Sequence, residues 1–451
     1  MLGSPGLGSF EIVARRRRVD LVAPRFTAVT ADGPGTWDLP QPAPYAAAVT
    51  STTGPATLTL TSGGTEMSVR LHDDVLDLQV DAGGRTTHHR SRRFGRLDTP
   101  ADALALTLTG THLTGLTRER GRWRARARYD LSQRLDSRDE AFCAALRLEA
   151  DGAVTDVRAG AFGQLGLRDV RLVSEADGTP VRDGYRLLLT ATHAGPGFFD
   201  AAHTGVWALD PDGWVPEHLA DLFFRRPGRQ TRPGVYGDHA THLLRDGGRW
   251  LVATSTWGDF DGHTGRSRRG ASVAVTLAET HADLLTGRHV LDTRPLPLPT
   301  DGFRSVGVWD PHLVRIDDRW HVGFVSASRF FRFHPALAAG DSLDDLRLIG
   351  ADSTRTATEG TTLVRIDGDW VVLASDGRQG PRAHRAAYPV FDLALRQTGR
   401  LQAPYPTNIP WPTLVDTEQG WVMVTFDGSR VGGELVGYGT HGDLVVARAG
   451  R

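Results

Sequence analysis

Lysine is absent from this 451-residue chain, so every side-chain cation outside histidine is an arginine. That pattern reads as a coding bias toward GC-rich codons more than as a physical demand. Charge of one sign is lacking too: 52 arginines stand against 53 acidic residues, for a formal net charge of -1. No strong field favours nucleic acid or an acidic membrane surface, and both are excluded as expected partners. Cys143 is the sole cysteine, so no internal disulfide can form and stability must come from burial and hydrogen bonding. A reducing compartment is compatible with that. No stretch approaches 18 uninterrupted apolar residues, and the first arginines follow rather than precede the mildly apolar start, unlike a signal peptide. The expectation is a cytoplasmic protein without a membrane partner. The "RRRR" run at 15–18 is read as part of a flexible N-terminal segment, 1–19, solvated rather than bound.

Helical periodicity is scarce. Alternating apolar and polar runs recur instead, among them "ATLTLTS", "VLDLQVD", "RWRARARYDL" and "RWLVATST", separated by turns rich in glycine and aspartate. The chain therefore reads as all-β. Residues 20–148 show this style without a repeat, which suits a β-sandwich-like accessory domain that packs on its neighbour more readily than it binds sugar. After residue 158 a strand, turn and strand unit recurs: "LRDVRLVSEADGTPVRDGYRLLLTAT", "DHATHLLRDGGRWLVATST", "WDPHLVRIDDRWHVGFVSAS", "TEGTTLVRIDGDWVVLASDG" and "PWPTLVDTEQGWVMVTFDGS". Its entry positions are Asp169, Ala240, Asp310, Gly360 and Trp411, so successive entries lie 71, 70, 50 and 51 residues apart. Such spacing fits four-stranded blades, and 158–451 is expected to be a five-bladed β-propeller. The strand at 443–449 is expected to complete a blade begun by chain near residue 160.

The inner strands of a propeller line one channel, so equivalent positions of different repeats become neighbours. Asp169 and Asp310 occupy the entry position, and Glu359 lies one residue before the aligned Gly360. Three carboxylates should converge. Close carboxylates repel, which raises at least one pKa and separates a protonated acid from an ionised base. Two such groups are what hydrolysis of a glycosidic bond requires.

The motifs resemble those of glycoside hydrolase family 43, five-bladed propellers of the furanosidase and xylosidase type. "LRDV" at Asp169 is similar to the family's base motif, "WDPHLV" at Asp310 to its pKa-tuning aspartate, and "TEGT" at Glu359 to its general acid; "DHATHL" around Ala240 is a looser match. The resemblance spans about 290 residues. Val170 and Thr361 stand where the family has proline. The implied activity is an inverting glycosidase acting on a furanoside or a pentose- or hexose-containing oligosaccharide, with Asp169, Asp310 and Glu359 as catalytic residues. A non-catalytic carbohydrate-binding propeller and a retaining fructosidase or glycosyl-transferring relative are the alternatives. The resemblance implies a carbohydrate partner and no required cofactor, and it allows a structural calcium ion in the channel.

Sugar rings stack on aromatics and need placed hydrogen-bonding groups for their hydroxyls. Candidates for the subsite are Trp309, Trp411, Trp257, Phe303, Tyr236, His239, Asn408, Arg168 and Arg378. Trp250, Trp320, Trp370 and Trp421 open second strands and are read as blade packing. Asp238, His239 and His242 are the wrong spacing for one face of a strand, so no protein-held metal is expected there. "DFDGH" at 259–263 lacks a twelfth-position glutamate and is read as a solvated turn, and the histidines at 88 and 89 as surface.

Overall fold

The computed structural model describes residues 6–227, 233–261, 266–267, 271–330, 332–430, 435 and 441–450. Their regular secondary structure is almost entirely strand. Among the described residues the helical elements are one short α-helix, Glu140–Ala144, and two 3-10 turns at Leu131–Gln133 and Phe199–Ala201. Two residues of the 259–263 turn, 262 and 263, lie outside the described residues.

Strands between residues 20 and 164 form one ten-stranded sheet. It folds over itself, with Thr65–His72 and Val75–Ala82 packing against the hairpins of 103–130 around Leu58, Met67, Val69, Leu78, Leu106 and Leu113. Gly115 permits that approach, since a Cβ there would sit 2.6 Å from Val69 Cγ2. The last strand, Arg147–Gln164, continues without a break through the interval in which sequence placed the domain junction. Its length follows from pairing with three partners in turn, Tyr45–Ser62, Gly35–Asp38 and Asp20–Ala31.

From Leu167 onward the sheets are arranged like the blades of a propeller. The first is built on Leu167–Leu172, Arg186–His193, His203–Asp210 and Val215–Arg225. The second uses His239–Asp246, Arg249–Ser255, Val275–Thr280 and Arg294–Pro295, the third Val308–Ile316 through Arg347–Ala351, and the fourth Thr358–Ile366 through Gln397–Leu401. The last combines Thr413–Thr417, Gly420–Arg430 and His441–Ala449 with Phe10–Arg16. Apolar clusters fill the space between successive sheets. Leu188, Leu243 and Trp250 lie between the first and second, Leu251, Leu313 and Trp320 between the second and third, and Val314, Leu363 and Val372 between the third and fourth. Leu373, Leu414 and Met423 follow, and Val415, Val424, Leu167 and Leu189 join the last sheet to the first.

Two expectations at the N-terminus are corrected here. Phe10–Arg16 is an ordered strand, and it is this strand rather than chain near residue 160 that pairs beside His441–Ala449, from Phe10 opposite Ala449 to Arg16 opposite Leu444. The cause is burial: Leu7 and Phe10 enter the cluster between the fourth and last sheets, and Ala14 the one between the last and first. The arginines are not free in solvent either. Arg15 pairs with Asp427 at 2.7 Å, Arg17 with Asp443 at 2.5 Å, Arg16 donates to the Trp214 carbonyl at 3.0 Å, and Arg18 donates to the Pro216 carbonyl.

Candidate active site

Four of the five aligned entries are one backbone position repeated. Asp169, Ala240, Asp310 and Gly360 all have positive φ, at 51°, 58°, 57° and 71°. In each inner strand the ladder slips at that point, between Arg168 and Arg171, His239 and His242, Trp309 and His312, and Glu359 and Thr362. A bulge turns two successive side chains toward the same opening, which a regular strand cannot do. Non-glycine residues in this region cost about 1–3 kcal/mol each, a strain that clusters at functional sites. Gly360 has a further reason to be glycine: a Cβ would lie 2.5 Å from the Trp411 ring. The space that a side chain at the fourth entry would take is therefore filled by indole, and the acid appears one residue earlier as Glu359.

These bulges open into a pocket with about 780 Å³ of empty space, mouth included. Asp169 and Glu359 are partly open to it, whereas Asp310 is only 3% exposed. The charge of Asp169 bears on Glu359, and both bear on Asp310. Burial and the Asp169 carboxylate push Glu359 up to about 8, against the opposing hydrogen bond from Trp309 Nε1 to Oε1 at 3.2 Å and the charge of Arg168. Asp310 is held well above the usual carboxylate range by burial, Glu359 and Asp169, with Arg171 and the Gly360 N–H opposing. Its Oδ2 is buried without a hydrogen-bond partner among the described residues. Burial also raises Asp169, but Arg168, a hydrogen bond from Thr192 and Arg171 all favour its charged form. Asp169 is thus the carboxylate with most support for ionisation.

Aromatic rings make the walls. Trp257 lies 5.2 Å from Trp309 and 4.7 Å from Phe199, and Trp309 lies 5.9 Å from Phe333. Of the residues expected from sequence, Arg168, His239, Trp257, Trp309, Asn408 and Trp411 line the same pocket as the three acids. His239 donates from Nδ1 to the Gly237 carbonyl at 3.1 Å, and burial and Arg168 push its pKa down to about 3, so the neutral ring keeps Nε2 as an acceptor. Three expectations are displaced. Phe303 packs edge-on against His334 at 4.9 Å, away from the pocket. Tyr236 is buried between Arg138 and Arg226, whose guanidinium carbons stand 5.2 and 4.1 Å from its ring. Arg378 is exposed, although its backbone N–H donates to Asn408 Oδ1 at 2.7 Å and so orients a lining residue. Sequence reasoning missed Phe198, Phe199, Phe330, Phe333, Gln379 and Ile409. Paired aromatics in "GPGFFD" and "RFFRF" were the available signal, because two consecutive rings between strands cannot both enter one sheet face.

Asp238, His239 and His242 point to different places: Asp238 bonds Arg226 at 2.8 Å, while His242 lies in the channel, stacked 4.2 Å from His312. The channel residues do not fit the calcium ion that the family resemblance allows. Arg171 lies across it, donating to the carbonyls of Asp310 and Thr361 at 2.9 and 3.2 Å and to Thr362 Oγ1 at 2.9 Å, with its guanidinium 4.5 Å from the Trp411 ring. Those oxygens are the kind a hard cation needs, and a fixed cation already holds them. Nδ1 of His242 and of His312 accept from Leu313 and Leu363 N–H groups, and burial together with Arg171 keeps both rings neutral.

No family model matches the chain, and no curated protein does. Among solved structures, a GH43_1 enzyme from Xanthomonas citri is 14% identical with a TM-score of 0.41, over 62% of this chain and 86% of that one. An inulosucrase from Halalkalicoccus jeotgali bound to kestose is 16% identical with a TM-score of 0.44, over 60% and 77%. A GH32 beta-fructofuranosidase from Bombyx mori is 13% identical with a TM-score of 0.41, over 62% and 59%. At values this low the chemistry has to be read from the pocket's own side chains.

Proposed function

We propose that the sheets after residue 166, closed by Phe10–Arg16, are five blades of a propeller, and that the pocket at its mouth hydrolyses a glycosidic bond with inversion. The observation that carries this reading is the unequal pair: Glu359, pushed up to about 8 and so protonated at neutral pH, shares one aromatic pocket with the better-stabilised carboxylate of Asp169. In the reaction, Glu359 transfers its proton to the departing glycosidic oxygen. Asp169 removes a proton from a water that attacks the anomeric carbon from the opposite face. Asp310, held well above the usual carboxylate range and so protonated, has a buried Oδ2 with no partner among the described residues, from which it can donate to a sugar hydroxyl. Trp257, Trp309 and Trp411 supply apolar faces, and Arg168, His239 and Asn408 supply donors and acceptors for the substrate's hydroxyls. The substrate class this favours is a furanoside or a short pentose- or hexose-containing oligosaccharide.

The test is turnover of aryl arabinofuranosides, xylosides and galactosides by the wild type, Glu359→Gln and Asp169→Asn. Each variant should lose about 10²- to 10⁴-fold in kcat while keeping its circular dichroism spectrum. Near-wild-type turnover in either removes the assignment. Proton NMR of the first-formed sugar separates inversion from the retaining alternative, and sugar binding without turnover by the wild type identifies a binding propeller.

A further inference from the structure

We propose that Arg171 is the positioning residue of this site: its guanidinium fixes the spacing of the strands that carry Asp169, Asp310 and Glu359, and it is the buried counter-ion of the base. The inference rests on the hydrolytic reading of the pocket. It starts from the repeat. Arg171, His242, His312, Thr362 and Thr413 each lie two residues after an aligned entry position, so one layer of the channel beneath the pocket is made of them. Arg171 is the one cation of the five. The two imidazoles stack 4.2 Å apart, and burial above all keeps them neutral.

One side chain reaches the neighbours of all three carboxyl groups. Arg171 closes the bulge that exposes Asp169, where the ladder slips between Arg168 and Arg171. Its Nη2 donates to the Asp310 carbonyl at 2.9 Å. Its Nη1 donates to the Thr361 carbonyl at 3.2 Å and to Thr362 Oγ1 at 2.9 Å, just beyond Glu359 on the same strand. The Trp411 ring, 4.5 Å from the guanidinium, packs against Gly360 beside that glutamate. A planar fork with fixed N–H directions can hold the first, third and fourth sheets at a set spacing, which a flexible stem with a point charge cannot. Inversion needs room for one water between base and acid, so this spacing decides whether the attack can occur.

The charge of Arg171 has no counterpart in those bonds. Its acceptors are uncharged, its Nε has no hydrogen-bond partner among the described residues, and the residue is 1% exposed. A cation buried so deeply is costly unless an anion stands near it. Burial pulls its pKa down to about 10, and Asp310 and Asp169 oppose that, so it stays charged at neutral pH. Asp310 is held well above the usual carboxylate range, first by burial, which leaves Asp169 as the ionised partner. Asp169 also faces Arg168 on its own strand, Thr192 on the next, and the carboxyl groups of Asp310 and Glu359, with the neutral His239 ring in the same pocket.

The experiment compares Arg171→Met, which keeps a stem and removes the charge, with Arg171→Lys, which keeps a charge and loses the fork. In kcat/KM against pH, Arg171→Met should move the acid limb to higher pH, because a charge favouring ionised Asp169 is gone, and leave the alkaline limb of Glu359 in place. Arg171→Lys should keep the acid limb and lower kcat by roughly 10- to 100-fold, since only the spacing is lost. Urea unfolding at pH 7 gives a readout free of turnover. Asp169→Asn combined with Arg171→Met should lose less stability than the two single variants summed, because each alone strands the other's buried charge. If Arg171→Met does not fold by itself, the Asp169→Asn background should restore folding for the same reason. An acid limb that stays put in Arg171→Met, a wild-type kcat in Arg171→Lys, losses that simply add, or failure to fold in both backgrounds overturns the proposal. A wild type that cleaves no glycoside overturns the hydrolytic reading instead, and the urea comparison then decides the counter-ion by itself.

Discussion

At the residue scale, the proposed reaction has a pH window set by two opposed requirements. Glu359 must be protonated, so kcat/KM should fall as pH rises through about 8. Asp169 must be ionised, and its pKa is raised by burial, so activity should also fall on the acid side at a pH above that of an ordinary aspartate. Trp309 offers a way to move one limb alone. Its indole N–H stabilises the charged form of Glu359, so Trp309→Phe should shift the alkaline limb upward and leave the acid limb in place. An alkaline limb that stays put in the pH profile would mean that another group is the acid. Much at this scale was legible in sequence, because Asp169, Asp310 and Glu359 stood at aligned repeat positions. Phe303 and Tyr236 were misplaced for a physical reason: being aromatic and near a strand entry does not specify which side of the sheet edge a loop residue turns to.

At the scale of elements, the bulged inner strand is the device that makes the pocket. Sequence alignment found its position in four sheets, and the shared positive φ explains why Asp169, Ala240, Asp310 and Gly360 align although their side chains differ. Trp411, aligned as the fifth entry, sits ahead of an unbulged strand and serves instead as the ring against which Gly360 packs. Ala240 demonstrates that this backbone accepts a Cβ, so Gly360→Ala isolates the steric conflict with Trp411. It should destabilise the protein by about 1–3 kcal/mol in urea unfolding, the usual cost of overpacking, and lower kcat by displacing the neighbouring Glu359. Unchanged stability would show that the indole can move aside.

At the scale of the whole molecule, the order of strands in sequence is not their order in space. The chain contributes Phe10–Arg16 to the last sheet, leaves to build the ten-stranded N-terminal sheet, and only then begins the first propeller sheet at Leu167. Sequence periodicity could not reveal this, because a single seven-residue strand carries no repeat. Removing residues 1–18 should therefore weaken the last sheet and its packing against its neighbours. Loss of Leu7 and Phe10 burial alone is worth about 3–6 kcal/mol, and the melting temperature should drop markedly; an unchanged melt would contradict the pairing as the ring's closure.

The pairing of Phe10 with Ala449 also sets a schedule for synthesis. The strand at 10–16 waits until residues 441–449 have been made before its partner exists. During that interval the nascent chain exposes Phe10 and an unpaired backbone edge, the kind of surface that seeks other strands. The last sheet is completed only after residues 441–449 have emerged, and slow translation of the residues between would lengthen the period in which chaperone cover matters most.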